Sequence, residues 1–330
     1  LGMVVALAVI WIGFNALSGG KFITARNLWN LSVQSVSIGI MATGMVFIIV
    51  TRNIDLSVGS LLGFLGYTMA LVQTDGRISV LGLNLTIDSL KDNPWYTWII
   101  ALAVGLILGA LVGLLQGSLV AYVGVPAFIV TLGGYLAWRG LIFRTGGKQG
   151  QTLAPLDETF RYLGGAPERS LGDWKTWIVA GLVCAGIVSS IVMARRRRQR
   201  HDLVVRSLSM DVGFAIAGCV AVVVGIWLVA VKYASPTTGE PVGIAYPVII
   251  LIGVTLMMTY LARRRRFGRY IFAYGGNPEA AELGGINTRR TITYTYMVMG
   301  MLCAVSAAIQ TARLNSATTN LGIQNELDVI

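Results

Sequence analysis

The residue types able to do chemistry are sparse in this sequence and form no catalytic pattern. The single histidine, His201, sits in a basic stretch. Cys184, Cys219 and Cys303 fall in three separate apolar segments without metal-ligand spacing. The closest approach to a phosphate-binding loop is Gly146-Gly147-Lys148, but Gln149 follows where that loop needs Ser or Thr. No nucleophile elbow is present. The expectation is a chain that is no enzyme and holds no cofactor or metal of its own.

What remains is polar chemistry set against apolar sequence. Arg52, Asn53, Asp55 and Ser57 lie where one apolar run gives way to the next. Ionisable groups at membrane depth are functional candidates. The competing reading is that Asp55 and Ser57 cap the following helix while Arg52 meets headgroups. Gln34, Gln116, Thr131, Arg139 and Gln310 lie inside apolar segments. They can hydrogen-bond neighbouring helices or line a path for a hydroxylated solute. Arg139, about a turn from the end of its segment, can also snorkel. The candidate pathway residues are therefore Asn53, Asp55, Ser57, Gln116, Thr131 and Arg139.

A second kind of chemistry is recognition by a short helix within the polar stretch 263–291. Asn277 is a good N-cap, Pro278 suits the first helical position, and Glu279 puts a negative charge in the first turn. Ala280, Ala281, Glu282 and Leu283 continue the turn, and Gly284 and Gly285 permit the left-handed ending. The product is a two-turn helix roughly 9 Å long. Its small apolar side suits either a shallow groove on another protein or a tether on the headgroups.

The elements that must position these residues are set by composition. The chain has 330 residues, 55% hydrophobic and 12% charged, with a mean hydropathy of +0.70. Soluble domains carry about 25% charged residues, so this is a membrane protein. Nine apolar segments follow, at 1–17, 28–50, 56–73, 97–123, 127–143, 176–194, 212–231, 243–262 and 292–312. Each is read as a helical span, because backbone groups in lipid must be satisfied internally. The net charge of +11 comes from arginines beside spans, which points to topology and not to nucleic acid. The runs 195–198 and 263–266 lie two spans apart and read as cytoplasmic. That puts 51–55 and 124–126 on the same side, and the polar loops 74–96 (with Asp75, Arg77, Asp88, Lys91 and Asp92) and 144–175 outside. Gly105, Gly109, Gly113 and Gly117 recur every fourth residue and make one smooth face for close helix packing. Pro126 with Gly133-Gly134 raises the prospect of a broken fifth span.

Three stretches and a tail, NIDLSVGSLLG at 53–63, VPAFIVTLGGYLAWRG at 125–140, FGRYIFAYGGNPEAAELGGINTRRT at 267–291 and ELDVI at 326–330, resemble the permease subunits of bacterial monosaccharide ABC importers. The likeness covers most of the chain from Phe22 onward. It is nearest to the xylose type, which shares the long loop after the fifth span and the arginine-rich loop after the sixth. The resemblance implies an all-α polytopic protein of the bacterial inner membrane, one permease domain over 1–330, incomplete at both ends, with 263–291 as its cytoplasmic coupling loop. Further hydrophobic helices are expected beyond residue 330, for ten or more in all. Residues 277–285 would dock into a separate ATPase, which uses ATP and Mg. The other implied partners are a second permease copy, a periplasmic or extracellular sugar-binding protein, and membrane lipid. The rivals are an ion-driven secondary transporter, for which Asp55 is the plausible buried acid, a branched-chain amino acid permease of similar architecture, and a non-transporting scaffold.

Overall fold

In a computed structural model, residues 2–80, 83–86, 94–145, 151–235 and 237–330 are described. Asp88, Lys91, Asp92 and the Gly146-Gly147-Lys148 fragment lie outside them. The chain is overwhelmingly helical. In order run α1 (Gly2–Leu17), α2 (Ala25–Val50), α3 (Val58–Asp75), α4 (Pro94–Ser118), α5 (Ala127–Thr145), α6 (Asp173–Arg200), α7 (Leu208–Ile226), α8 (Tyr246–Arg264), α9 (Arg266–Gly276), α10 (Pro278–Leu283), α11 (Thr288–Leu314) and α12 (Asn325–Val329). The α4 and α7 helices end in π-helical turns, Leu119–Val123 and Trp227–Val231.

Each of the nine apolar segments contains a helix. Among the described residues, six helical stretches are long and apolar enough to cross a bilayer: Ala25–Val50, Tyr96–Val123, Asp173–Arg200, Leu208–Val231, Tyr246–Arg264 and Thr288–Leu314. The other three fall short for visible reasons. The α1 helix has 16 residues, α3 has 18 and ends in polar residues, and α5 carries Arg139 and Arg144. The result is an all-α multi-pass membrane protein with one departure. Arg77–Val80 and Leu83–Thr86 pair as an antiparallel hairpin where the sequence reads only as a polar loop.

The described chain forms two compact units. The smaller holds residues 1–32 and 167–246. Within it, α6 and α7 form a helical hairpin whose apolar windows are each only 6% buried. Its packed end is polar as well as apolar. Trp29 Nε1 donates to the Gly243 carbonyl at 2.9 Å, and the Trp29 and Tyr233 rings lie 5.6 Å apart. Thr176 Oγ1 donates to the Gly172 carbonyl and accepts from the Ile244 amide. Gly243, with φ of 77°, is pressed against Gly172 so closely that no Cβ fits.

The larger unit holds 33–166 and 247–330. Helix α3 is its axis: every residue from Val58 to Val72 is buried. Helices α4, α5 and α11 pack round it. The glycine face of α4 meets α11 directly, since Gly109 faces the Gly300 carbonyl, Gly113 faces the Tyr296 carbonyl, and Gly117 lies against Thr293. Gly105 instead makes room for Met69 of α3. Elsewhere, Ser306 donates to the Ser37 carbonyl at 2.7 Å. The segment 151–166 is more than a surface loop: Leu153, Leu156 and Phe160 are buried in the core, and Leu153 bridges Ala317. Helix α5 is continuous through Gly133-Gly134, so the fifth segment is not broken there.

A Cβ at Gly109 has no room, whereas Gly133 has nothing within 4 Å. Gly109→Ala is expected to destabilise the protein by about 1–3 kcal/mol through overpacking. Gly133→Ala should be neutral or stabilising through helix propensity. Melting midpoints of the two purified variants test the contrast, and equal midpoints would contradict it.

Candidate functional site

The α9–α10 element stands out as a locally self-sufficient structure with an outward face. Asn277 Oδ1 accepts from the Ala280 amide at 3.1 Å, and Pro278 occupies the first helical position. The helix is ended by Gly285, with φ of 81°, while Gly284 keeps an ordinary φ of −74°. Of the two glycines, only Gly285 uses the left-handed freedom. The Ile286 amide then bonds back to the Ala281 carbonyl. Glu279, Ala280, Glu282, Leu283, Gly284 and Gly285 are exposed, Asn277 is exposed, and Pro278 is half-buried. Leu283 is 90% exposed, whereas Ala281 is 6% exposed and turned into the protein. The outward surface of α10 is therefore Leu283 and Ala280 flanked by two carboxylates, without Ala281.

Helix α9 seats this element. In sequence, 263–276 belongs to a polar stretch, yet Phe267, Ile271 and Tyr274 recur at helical spacing. Ile271 is fully buried, and Phe267 packs with it, edge-on to Phe47. Gly268 abuts the Leu261 and Ala262 carbonyls at the end of α8. The arginine run in front of α9 hides this periodicity.

Arg52 makes the decisive connection. It holds a left-handed φ of 59°, donating from Nε to the Gly275 carbonyl at 3.0 Å and from Nη2 to the Gly276 carbonyl at 2.8 Å. Gly275 meanwhile touches the Val50 carbonyl. Arg52 thus ties down the last carbonyls of α9, at the negative end of the helix dipole. The side chain reaches the protein's own backbone, which the reading as a headgroup anchor does not include. It also puts the α2–α3 linker and the α9–α10 junction at one end of the larger unit.

Behind Arg52 the linker runs into a buried polar knot. Asn53 turns back to the Thr51 carbonyl. Asp55 Oδ1 accepts from the Ser57 amide at 2.9 Å and from its hydroxyl at 2.6 Å. Gln116 Nε2 donates to Ser57 Oγ at 2.9 Å. Gly134 leaves the space that the Gln116 amide and the Trp138 indole nitrogen occupy. Thr131 Oγ1 reaches the Ile54 carbonyl at 3.3 Å. The structure therefore brings Asp55, Ser57, Gln116 and Thr131 together, all buried. It leaves Asn53 at their edge and Arg139 elsewhere. Arg139 does not snorkel: it donates to the Thr319 and Leu321 carbonyls, pinning the segment after α11 along α3. That segment carries Glu326, which is 9% exposed with Oε2 buried and without a hydrogen-bond partner among the described residues. Asp55 is thus not the only buried acid. Nothing in the ELDVI string marks Glu326 as buried, because its burial comes from Gly59 lying against it.

Burial raises the Asp55 carboxyl above its ordinary value, outweighing the Ser57 hydrogen bonds that lower it. A raised pKa means that ionisation costs stability once the pH exceeds it, and that this cost fades as the pH falls through it. Asp55→Asn keeps an oxygen acceptor without the charge. It should match or exceed the wild type in melting temperature at neutral pH, with the margin shrinking on acidification. Asp55→Ala strands the Ser57 amide and leaves its hydroxyl only the longer bond to Gln116 Oε1 at 3.3 Å, and should cost about 1–3 kcal/mol. A pH series of melting curves would refute the assignment if Asn proved as damaging as Ala.

The family described as branched-chain amino acid transport system / permease component matches residues 27–330. The chain is similar to the xylose transport system permease protein XylH of Haemophilus influenzae, with 36% identity over 329 residues, 99% of this chain and 79% of that one. Against XylH of Escherichia coli strain K12 the identity is 33%, over 99% of this chain and 75% of that protein. The ribose import permease protein RbsC of the same strain is 29% identical over 99% of this chain and 73% of its own length. No solved structure matches the chain. With the family match running through α2 to α12 and taking in both the exposed helix and the knot behind it, the chain belongs to the branched-chain amino acid transport system permease component family.

Proposed function

We propose that this chain is the membrane-spanning subunit of an ATP-driven, binding-protein-dependent importer, and that its cargo is xylose or a similar monosaccharide. The sugar reading rests on the xylose and ribose permeases to which the whole chain is similar, whereas the family description names branched-chain amino acids. ATP hydrolysis belongs to a separate subunit, and a soluble binding protein delivers the sugar. Two copies of the chain enclose the pathway, and all nine long helices, including α1, α3 and α5, serve as spans.

The observation that carries the mechanism is the Arg52 clamp. The ATPase grips α10 through Leu283, Ala280, Glu279 and Glu282. Movement of α10 is passed to α9, and from the last carbonyls of α9 through Arg52 to the linker. The linker ends in the Asp55–Ser57–Gln116 knot, between α3 and α4, with Thr131 of α5 tied to the same backbone. A push on α10 therefore reaches three helices of the larger unit without crossing a flexible loop. Asp55, Ser57, Gln116 and Thr131 satisfy one another in this arrangement. They reach a sugar only when those helices move apart, which suits a pathway gated by the ATPase. Glu326, whose buried Oε2 has no hydrogen-bond partner among the described residues, is what the ion-driven alternative would use.

The test uses the permease reconstituted with its ATPase and binding protein. Leu283→Glu should abolish sugar-stimulated ATP hydrolysis by breaking the docking. Arg52→Met should leave ATPase binding intact and lower uptake per ATP hydrolysed about tenfold, the loss of two charge-assisted hydrogen bonds. Unchanged transport in Arg52→Met would remove the clamp from the mechanism. Uptake that survives ATP depletion but collapses with an uncoupler would replace the importer by the ion-driven reading.

A further inference from the structure

The basic link between α6 and α7 is unused by the mechanism above. It lines an open cavity of about 140 Å³. From α6, Ile191, Ala194, Arg195 and Arg198 line it at positions one helical stripe apart. From α7 come Asp211 and Phe214, and from the connection Val205 and Arg206. The three arginines are not equivalent. Arg195 Nη1 binds Asp211 Oδ2 at 2.7 Å and the Arg206 carbonyl at 2.9 Å. Its charge is matched, and it braces the cavity. The Arg206 guanidinium lies over the Phe214 ring at 5.6 Å, which holds the cation without using its N–H edge. Arg198 has no side-chain hydrogen bond or ion pair to any described residue. Two guanidiniums therefore face the cavity with no carboxylate to neutralise them.

Two unmatched, planar, fork-shaped donors fit a phosphate group. The size and walls narrow the source. The volume is below the about 300–1,000 Å³ of a site that takes in a whole drug-sized ligand, so the cavity seats a headgroup and leaves the rest of the ligand outside. Ile191, Ala194, Val205 and Phe214 make the remaining wall apolar, and the cavity sits at the end of two helices whose apolar surfaces are almost wholly exposed. A ligand with a phosphate beside an apolar body meets both surfaces at once. We propose that the α6–α7 hairpin binds the phosphate of an anionic membrane phospholipid, held between Arg198 and Arg206 with its glycerol backbone against Phe214. Basic pockets between spans on the cytoplasmic side favour such headgroups.

The experiment is native mass spectrometry of the full-length permease in mild detergent, titrated separately with phosphatidylglycerol and phosphatidylcholine, and with phosphatidylglycerol in the presence of millimolar inorganic phosphate. Phosphatidylglycerol should be retained about tenfold better than phosphatidylcholine, and free phosphate should not displace it. Arg198→Gln with Arg206→Gln should erase the preference. Arg196→Gln with Arg197→Gln removes the same charge from residues that do not line the cavity, and should preserve it. The proposal is overturned by equal retention of the two lipids, by equal loss in the two double variants, or by displacement with phosphate, which would make this a free-anion site. Monodisperse elution of each variant separates misfolding from lost binding, and no readout depends on transport.

Discussion

Gly109 and Gly300 meet backbone to backbone, and the larger unit is arranged around that approach. Lipid provides no hydrophobic drive to bring helices together, so association depends on how closely main chains can come. The α4 glycine face allows it along three further turns, against α3 and α11. Once α4 and α11 are that close, α3 has room only in the middle, and its side chains are buried on all faces. The second cluster, built on Val36, Ile40, Phe47, Met258 and Ile271, belongs to the same unit and carries α9.

Polar groups in such an interior must satisfy one another, because no water competes for them. Asp55, Ser57 and Gln116 do so across two helices, and the α2–α3 linker is fixed in consequence. Arg52 extends the arrangement outward to α9. The route from the exposed α10 to the buried α3 is thus made of short, directional bonds and one amphipathic helix seat.

Much of this was legible in the sequence. The nine apolar segments all hold helices, and the Asn277-Pro278 start and Gly285 end of α10 follow from local backbone chemistry. Local chemistry needs no tertiary knowledge, which is why it reads well. What failed to read were features created by distant partners. Arg52 looked like a headgroup anchor because its acceptors, at 275 and 276, are more than two hundred residues away. Arg139 looked free to snorkel because the carbonyls it binds belong to the segment after α11. Glu326 looked like part of a polar tail until Gly59 gave it a place to lie. The 77–86 hairpin was missed because its strands are only four residues each, and α9 because an arginine run precedes its apolar stripe.

The acceptors that Arg52 uses are peptide carbonyls, and this has a bearing on robustness. A peptide carbonyl is supplied by the main chain and not by a side chain. The junction between α9 and the α2–α3 linker therefore rests on backbone position, unlike a link made from two side chains. Because every residue type at 275 and 276 would present the same carbonyl, the chemistry of the contact places no demand on side-chain identity there. The demand is spatial: the touch of Gly275 on the Val50 carbonyl requires glycine, so the accuracy of the link is guarded by the absence of a side chain.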